Sequence, residues 1–221
     1  MRLLSAISII LFLSSINASK IEFDRYTIDD GLSQNTVYKV FQDSRGYIWL
    51  GTQGGLDRFN GYEFKHYEHE SNDSTSIVNG WIRAINEDED GLLWLGTVGG
   101  NLGWFDPYDE IGGEIDLFAD HPDFDRPGYI YDILFHGDYI FLTTLGSGLC
   151  RYNRKDGSTL WYSSDSTSKH YIKDRVFTNV YSISEDKILL GDRSIIILNT
   201  ETNEHVEPYN ELIEKEIGVP F

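Results

Sequence analysis

The sequence predicts an all-β fold assembled from about four four-stranded repeats, and three observations predict it. Residues 43–55 (Asp-Ser-Arg-Gly-Tyr-Ile-Trp-Leu-Gly-Thr-Gln-Gly-Gly) and 88–100 (Asp-Glu-Asp-Gly-Leu-Leu-Trp-Leu-Gly-Thr-Val-Gly-Gly) are identical at eight of thirteen positions, at a shift of 45 residues. Each repeat divides into short β-prone runs punctuated by Gly and Asp, the pattern of tight hairpins. Helical spacing is nearly absent: only Tyr209–Ile217 carries it, through Leu212, Ile213 and Ile217. A recurring four-stranded unit of about 45 residues describes the blades of a β-propeller.

Taken in order, the chain opens with Met1-Arg2 and an uncharged, mostly apolar run, Leu3–Leu13. A spanning helix needs roughly twenty apolar residues, so this run fits the core of a secretory signal peptide instead. Cleavage is expected after Ala18, giving a mature chain (19–221) that lies in the periplasm or is secreted and has no membrane span. Residues 21–27 are predicted as an extra outer strand, because Phe23 and Tyr26 repeat the spacing of Phe64 and Tyr67. Blade one is expected over residues 32–70, with strands Val37–Gln42, Tyr47–Thr52, Gly55–Asn60 and Tyr62–Glu68. Blade two follows over 78–119, blade three over 128–163 and blade four over 176–210. In copy three Phe141 takes the Trp place and Thr143 the Gly place. Copy four is reduced to Ile188-Leu189-Leu190-Gly191, Ser194–Asn199 and a fourth strand over Glu204–Tyr209. The first strands start near Val37, Ile82, Ile130 and Val180. Since Glu204–Tyr209 supplies a fourth strand, residues 21–27 have no vacancy in which to lock a ring. An incomplete, open arc is the expected arrangement.

The repeated residues have structural work to do. Trp49 and Trp94 fill the space between neighbouring blades. Gly51 and Gly96 permit close backbone approach near the axis. Asp43 and Asp88 hold the first hairpin turn through their own backbone.

Charge narrows the function classes. The chain has 36 Asp+Glu against 18 Lys+Arg, a formal net charge of −18. That excess opposes binding to nucleic acid and to anionic lipid. Aromatic residues at 14% and charged residues at 24% are the profile of a folded chain rather than a disordered acidic tail. The single Cys excludes a disulfide framework, and Cys150, set in a strand, is expected to be a buried, inert thiol.

The strings Asp30-Gly31-Leu32-Ser33-Gln34-Asn35-x-Val37-Tyr38 and Gln42-Asp43-x-x-Gly46-Tyr47-Ile48-Trp49-Leu50-Gly51-Thr52-x-Gly54-Gly55-Leu56-x-Arg58-Phe59-Asn60-Gly61 resemble the two-component regulator propeller repeat. Copies one and two match closely; copies three and four match loosely. The resemblance implies the periplasmic sensor region of hybrid histidine kinases and diguanylate cyclases. In that family, propellers are followed by an immunoglobulin-like segment, a membrane helix and an output domain. No kinase, receiver or cyclase motif occurs in these residues, so sensing carries over and kinase activity does not.

Chemistry-bearing motifs are sparse. His66 and His69 are three apart on a predicted strand and so face opposite ways. Glu87–Asp90 is an acidic turn without the spacing of a calcium loop. No Gly-x-Ser-x-Gly elbow occurs. No catalytic residue, metal or cofactor is therefore expected, and the chain is read as a non-catalytic recognition module. The loops leading into the first strands carry Gln34, Asn35, Asn79, Trp81, Tyr129 and Asn179, a mixture of amide and aromatic groups suited to a small polar molecule or glycan. The partner is expected to be such a ligand, further propeller blades or another chain. Two rival readings are a free-standing periplasmic interaction scaffold and a glycan-active enzyme on a propeller scaffold.

Overall fold

The computed structural model describes residues 23–118, 127–172, 176–192 and 194–206. The expected signal peptide and the helical spacing of Tyr209–Ile217 lie outside these residues.

Four antiparallel sheets follow one another along the chain, each a simple meander. Blade one is β1 (Val37–Gln42), β2 (Ile48–Thr52), β3 (Leu56–Phe59) and β4 (Phe64–Tyr67). Blade two is β5 (Ile82–Glu87), β6 (Leu93–Thr97), β7 (Leu102–Asp106) and β8 (Ile111–Ile115). Blade three is β9 (Ile130–His136), β10 (Tyr139–Thr144), β11 (Leu149–Asn153) and β12 (Thr159–Tyr162). Blade four is β13 (Asn179–Ser184), β14 (Lys187–Gly191), β15 (Ile195–Asn199) and β16 (His205–Val206).

The strong repeat is explained by one device used twice. Asp43 Oδ1 accepts the N–H groups of Arg45 and Tyr47, closing the first hairpin, while Oδ2 accepts Trp49 Nε1 at 2.8 Å. Asp88 does the same with Asp90, Leu92 and Trp94 Nε1, again at 2.8 Å. Both carboxylates are buried, and burying a carboxylate is tolerable only when it is hydrogen-bonded. The turn, the Trp and the blade interface are thereby tied together. Trp49 lies between blades one and two with Ile82, Ile85 and Phe105; Trp94 lies between blades two and three with Ile130 and Ile133. Gly51 and Gly96 sit where the next first strand crosses: a Cβ on Gly51 would meet Ile82 O at 2.9 Å, and one on Gly96 would meet Ile130 Cγ2 at 2.6 Å.

A second repeat, of two-blade period, is invisible in sequence identity. Arg58 stacks over the Tyr47 ring at 4.9 Å and reaches Glu110 of blade two at 3.7 Å, an acceptor shared with Tyr67. Arg151 stacks over Tyr139 at 4.7 Å and donates to Asn203 Oδ1 of blade four at 3.0 Å, an acceptor shared with Tyr162. Among the described residues, Glu110 (φ 59°) and Asn203 (φ 61°) alone are non-glycine residues in the left-handed region. Each is held there by the Arg and Tyr of the preceding blade.

Two expectations need correction. Residues 23–27 join no sheet; instead the Tyr26 ring packs at a tilt against Phe59 and edge-on against Phe64, with ring centres 5.0 and 5.6 Å away. Of the expected fourth strand Glu204–Tyr209, His205–Val206 form β16, and residues 207–209 lie outside the described residues. The fourth copy is also out of step at its first strand. Val180 pairs with Leu190 as Val40, Ile85 and Ile133 pair with Leu50, Leu95 and Leu142. Phe177, not Val180, therefore stands in the place of Val37, Ile82 and Ile130. Val180 and Leu190 are buried against Phe141 and Leu149 of blade three.

Among the described residues the arc is open. Buried clusters join blades one and two, two and three, and three and four. None joins four to one. The leading face of blade one, with Val37, Val40, Ile48 and Leu50, lines an apolar recess of about 340 Å³ together with Tyr26, Phe59 and Phe64. Val40 is 61% exposed, whereas its counterparts Ile85, Ile133 and Val180 are buried by a preceding blade.

Candidate functional site

Three successive first strands carry an extra residue at the same point. In β1, Val37 pairs with Thr52 and Lys39 with Gly51, leaving Tyr38 unmatched. In β5, Ile82 pairs with Thr97 and Ala84 with Gly96, leaving Arg83. In β9, Ile130 pairs with Thr144 and Asp132 with Thr143, leaving Tyr131. A bulge turns its extra residue away from the regular alternation of faces. Here three bulges bring their side chains to one another. The Arg83 guanidinium carbon lies 4.5 Å from the Tyr38 ring centre and 5.1 Å from that of Tyr131. Tyr129, just before β9, adds a third ring at 4.8 Å, and Trp81, just before β5, stands 5.9 Å from Tyr38. All five residues are half-buried. Cation–π contacts of this kind each contribute about 0.5–1 kcal/mol at exposed sites and more when desolvated.

One ion pair borders the cluster. Lys39 Nζ reaches from blade one to Asp132 Oδ1 of blade three at 3.1 Å, and the other Asp132 oxygen accepts the Val180 N–H at 3.2 Å. Arg83 has no acceptor among the described residues. Trp81 Nε1 is likewise buried without one.

The predicted ligand residues divide. Trp81 and Tyr129 belong to the cluster. Asn79 supports it: its Oδ1 accepts the Trp81 N–H at 3.0 Å. Asn35 is structural, accepting the Ile28 N–H of the preceding 3-10 turn (Ile28–Asp30) at 3.1 Å. Gln34 is exposed beside Gly54. Asn179 is exposed and donates to Thr178 Oγ1 at 2.8 Å. Tyr38, Arg83 and Tyr131 were not anticipated. Strict alternation assigns them to a packed face, and only the column they form when the copies are aligned could have drawn notice.

Two other polar groupings occur. Ser33 Oγ donates to Asp57 Oδ2 at 2.6 Å, and His66 Nδ1 meets Asp57 Oδ1 at 3.0 Å. The hydrogen bond to Asp57 raises the His66 pKa above its ordinary value. The carboxylate stands between hydroxyl and imidazole, so His66 does not touch the Ser33 oxygen it would have to deprotonate. At the opposite end of the blades, a polar recess of about 360 Å³ between blades three and four is lined by His136, Tyr139, Arg151, Glu185 and Asn203. Burial of Tyr162 beneath it pushes that phenol up to about 12. Among the described residues, no group of three or more His, Cys, Asp or Glu could hold a metal ion. No helix among them is long and apolar enough to cross a membrane.

Comparison with known proteins matches the two strong copies and the fold. The family model for the two component regulator propeller matches residues 31–54 and 76–99. Histidine kinase P4 of Formosa agariphila is 43% identical over 82 residues, a stretch covering 35% of this chain and 6% of that protein. The fold is similar to the extracellular domain of a hybrid two component system from B. thetaiotaomicron, with TM-score 0.71 and 19% identity over 84% of this chain and 26% of that one. A second such domain from the same organism gives TM-score 0.58 and 20% identity over 73% of this chain and 21% of that one. The chain thus spans about a quarter or less of the length of these relatives. At residues 31–54 and 76–99, in blades one and two, this protein carries two-component regulator propeller repeats.

Proposed function

We propose that this chain is the recognition part of an exported two-component-type sensor, and that it binds a small polar ligand at the Tyr38–Arg83–Tyr131 cluster without transforming it. The observation that carries this reading is the triple bulge. Three blades give up regular pairing at one level, and the residues released converge on one another. Bulges are over-represented beside functional sites, and aromatic walls around a few polar groups suit a small polar molecule. The likeness to extracellular domains of hybrid two component systems supports export and sensing. The separation of Ser33 from His66 supports binding over catalysis. A second reading, a scaffold for another protein, is favoured by one feature, the open apolar face of blade one.

The test is a ligand screen by NMR on the mature chain, using neutral sugars and small acids, followed by product analysis. Saturable binding that shifts the Trp81 and Tyr131 resonances, is lost in Tyr131→Ala and leaves the ligand intact supports the proposal. Ligand conversion, or binding that maps to the Tyr139–Arg151 recess, contradicts it.

A further inference from the structure

We infer that the ligand of this cluster is a carboxylate, held by Arg83; this rests on the binding site proposed above and specifies its chemistry. The argument begins with supply and demand for anions. The chain has 36 acidic residues for 18 basic ones, so an arginine without a counter-ion is unexpected. Among the described residues the other half-buried arginines are satisfied: Arg58 by Glu110, Arg154 by Glu89 and Asp88, and Arg151 by the Thr200 carbonyl and Asn203. Arg83 has no acceptor among the described residues, although it is seated among three rings at 4.5, 4.8 and 5.1 Å. The carboxylate on the neighbouring first strand β9, Asp132, is already engaged on both oxygens by Lys39 and the Val180 N–H.

The rings explain what such an arrangement is for. They hold the guanidinium in place by cation–π contacts, which provide no hydrogen-bond acceptor in the plane of its five N–H donors. The rings therefore position the fork without satisfying its donors, and a carboxylate is the planar, bidentate acceptor that matches it. Half-burial of Arg83 and Tyr131 keeps the group reachable from solvent. The tyrosine and tryptophan faces would receive the carbon skeleton carrying the carboxylate. The charge of −18 opposes long-range attraction of an anion, but at physiological ionic strength that field is screened over roughly 8 Å, so the local contact decides.

The experiment is isothermal titration of the mature chain with matched pairs: D-glucuronate against D-glucose, and benzoate against benzyl alcohol. The expected result is that at least one carboxylate binds about tenfold or more tightly than its neutral counterpart, with the preference lost in Arg83→Gln and reduced in Arg83→Lys, which keeps the charge but not the fork. Thermal melts of both variants identify any loss caused by unfolding. In that event Tyr38→Phe, which keeps the stacking face, must retain the preference. Equal affinity for acid and neutral partner overturns the carboxylate inference while leaving ligand binding at the cluster intact. Failure of both carboxylates to bind, or an unchanged preference in a folded Arg83→Gln, also overturns it.

Discussion

Replacing Trp49 by Ala tests whether the Asp–Trp device holds the blades together. The indole is fully buried and sits between blades one and two, 5.9 Å from both the Tyr67 and Phe105 ring centres. Truncating a buried aromatic costs about 3–5 kcal/mol. Part of that cost is the bond to Asp43: hydrogen bonds to charged groups contribute about 1.5–3 kcal/mol. Removing the donor also leaves a buried carboxylate oxygen without its partner. Trp49→Phe keeps most of the ring and loses the donor, so it should cost about 2–3 kcal/mol. Against a typical total of about 5–15 kcal/mol, the alanine variant is expected to sit near the limit of stability. Trp81→Ala is the internal control: its ring is half-buried beside Tyr38 in the Arg83 cluster, and a cost of about 1 kcal/mol is expected. Urea unfolding followed by far-UV circular dichroism measures all three. A Trp49→Ala loss under about 1 kcal/mol, or Trp81→Ala costing as much as Trp49→Ala, would refute the assignment of one Trp to structure and the other to binding.

Other expectations follow from single contacts. Gly96→Ala should destabilise by about 1–3 kcal/mol, because its Cβ would meet Ile130 Cγ2 at 2.6 Å, while Gly191→Ala, with nothing within 4 Å, should change the urea midpoint little. The Cys150 thiol is buried and pushed up by burial alone, so it should resist a thiol reagent in buffer and react after urea unfolding. His66 has a raised pKa in the folded state, so the stability it contributes is full below the unfolded value near 6.5. That contribution is lost as pH rises through the folded value. The urea midpoint of the native chain should therefore fall more between pH 6 and 8 than that of His66→Gln, and equal slopes would count against the Asp57–His66 contact.

What was legible in the sequence follows from what the physics repeats. Trp49 and Trp94 share an Asp six residues earlier, and that dependence shows as near-identity between residues 43–55 and 88–100. From it came the four-stranded unit, the blade count and the place of Trp at the interfaces. The Arg58–Glu110 and Arg151–Asn203 clamps were not legible, because the acceptor changes from carboxylate to amide and the period is two blades. The candidate site was half legible. Trp81 and Tyr129 stand out as aromatic residues in loops, whereas Tyr38, Arg83 and Tyr131 lie inside strands. Their exit from the alternating pattern depends on register shifts that a single strand does not encode. The fourth copy was misplaced by three residues at its first strand because Val180 looks like Val37, while the pairing of Val180 with Leu190 equates it with Val40.

The open arc is the claim on which the rest of the architecture depends, and methyl nuclear Overhauser contacts in the protein test it most directly. Val40 and Leu50 lie on the leading face of blade one. On the far side, Tyr181 pairs with Leu189 as Phe41 pairs with Trp49, which places them on the trailing face of blade four. Tyr181 is 56% exposed. The account predicts no intramolecular contact between the Val40 or Leu50 methyls and Tyr181 or Leu189, while the Val180 methyls show contacts to Phe141 and Leu149. Intramolecular contacts from Val40 or Leu50 to Tyr181 or Leu189 would mean that blade four packs on blade one in a closed four-bladed ring, and would contradict it.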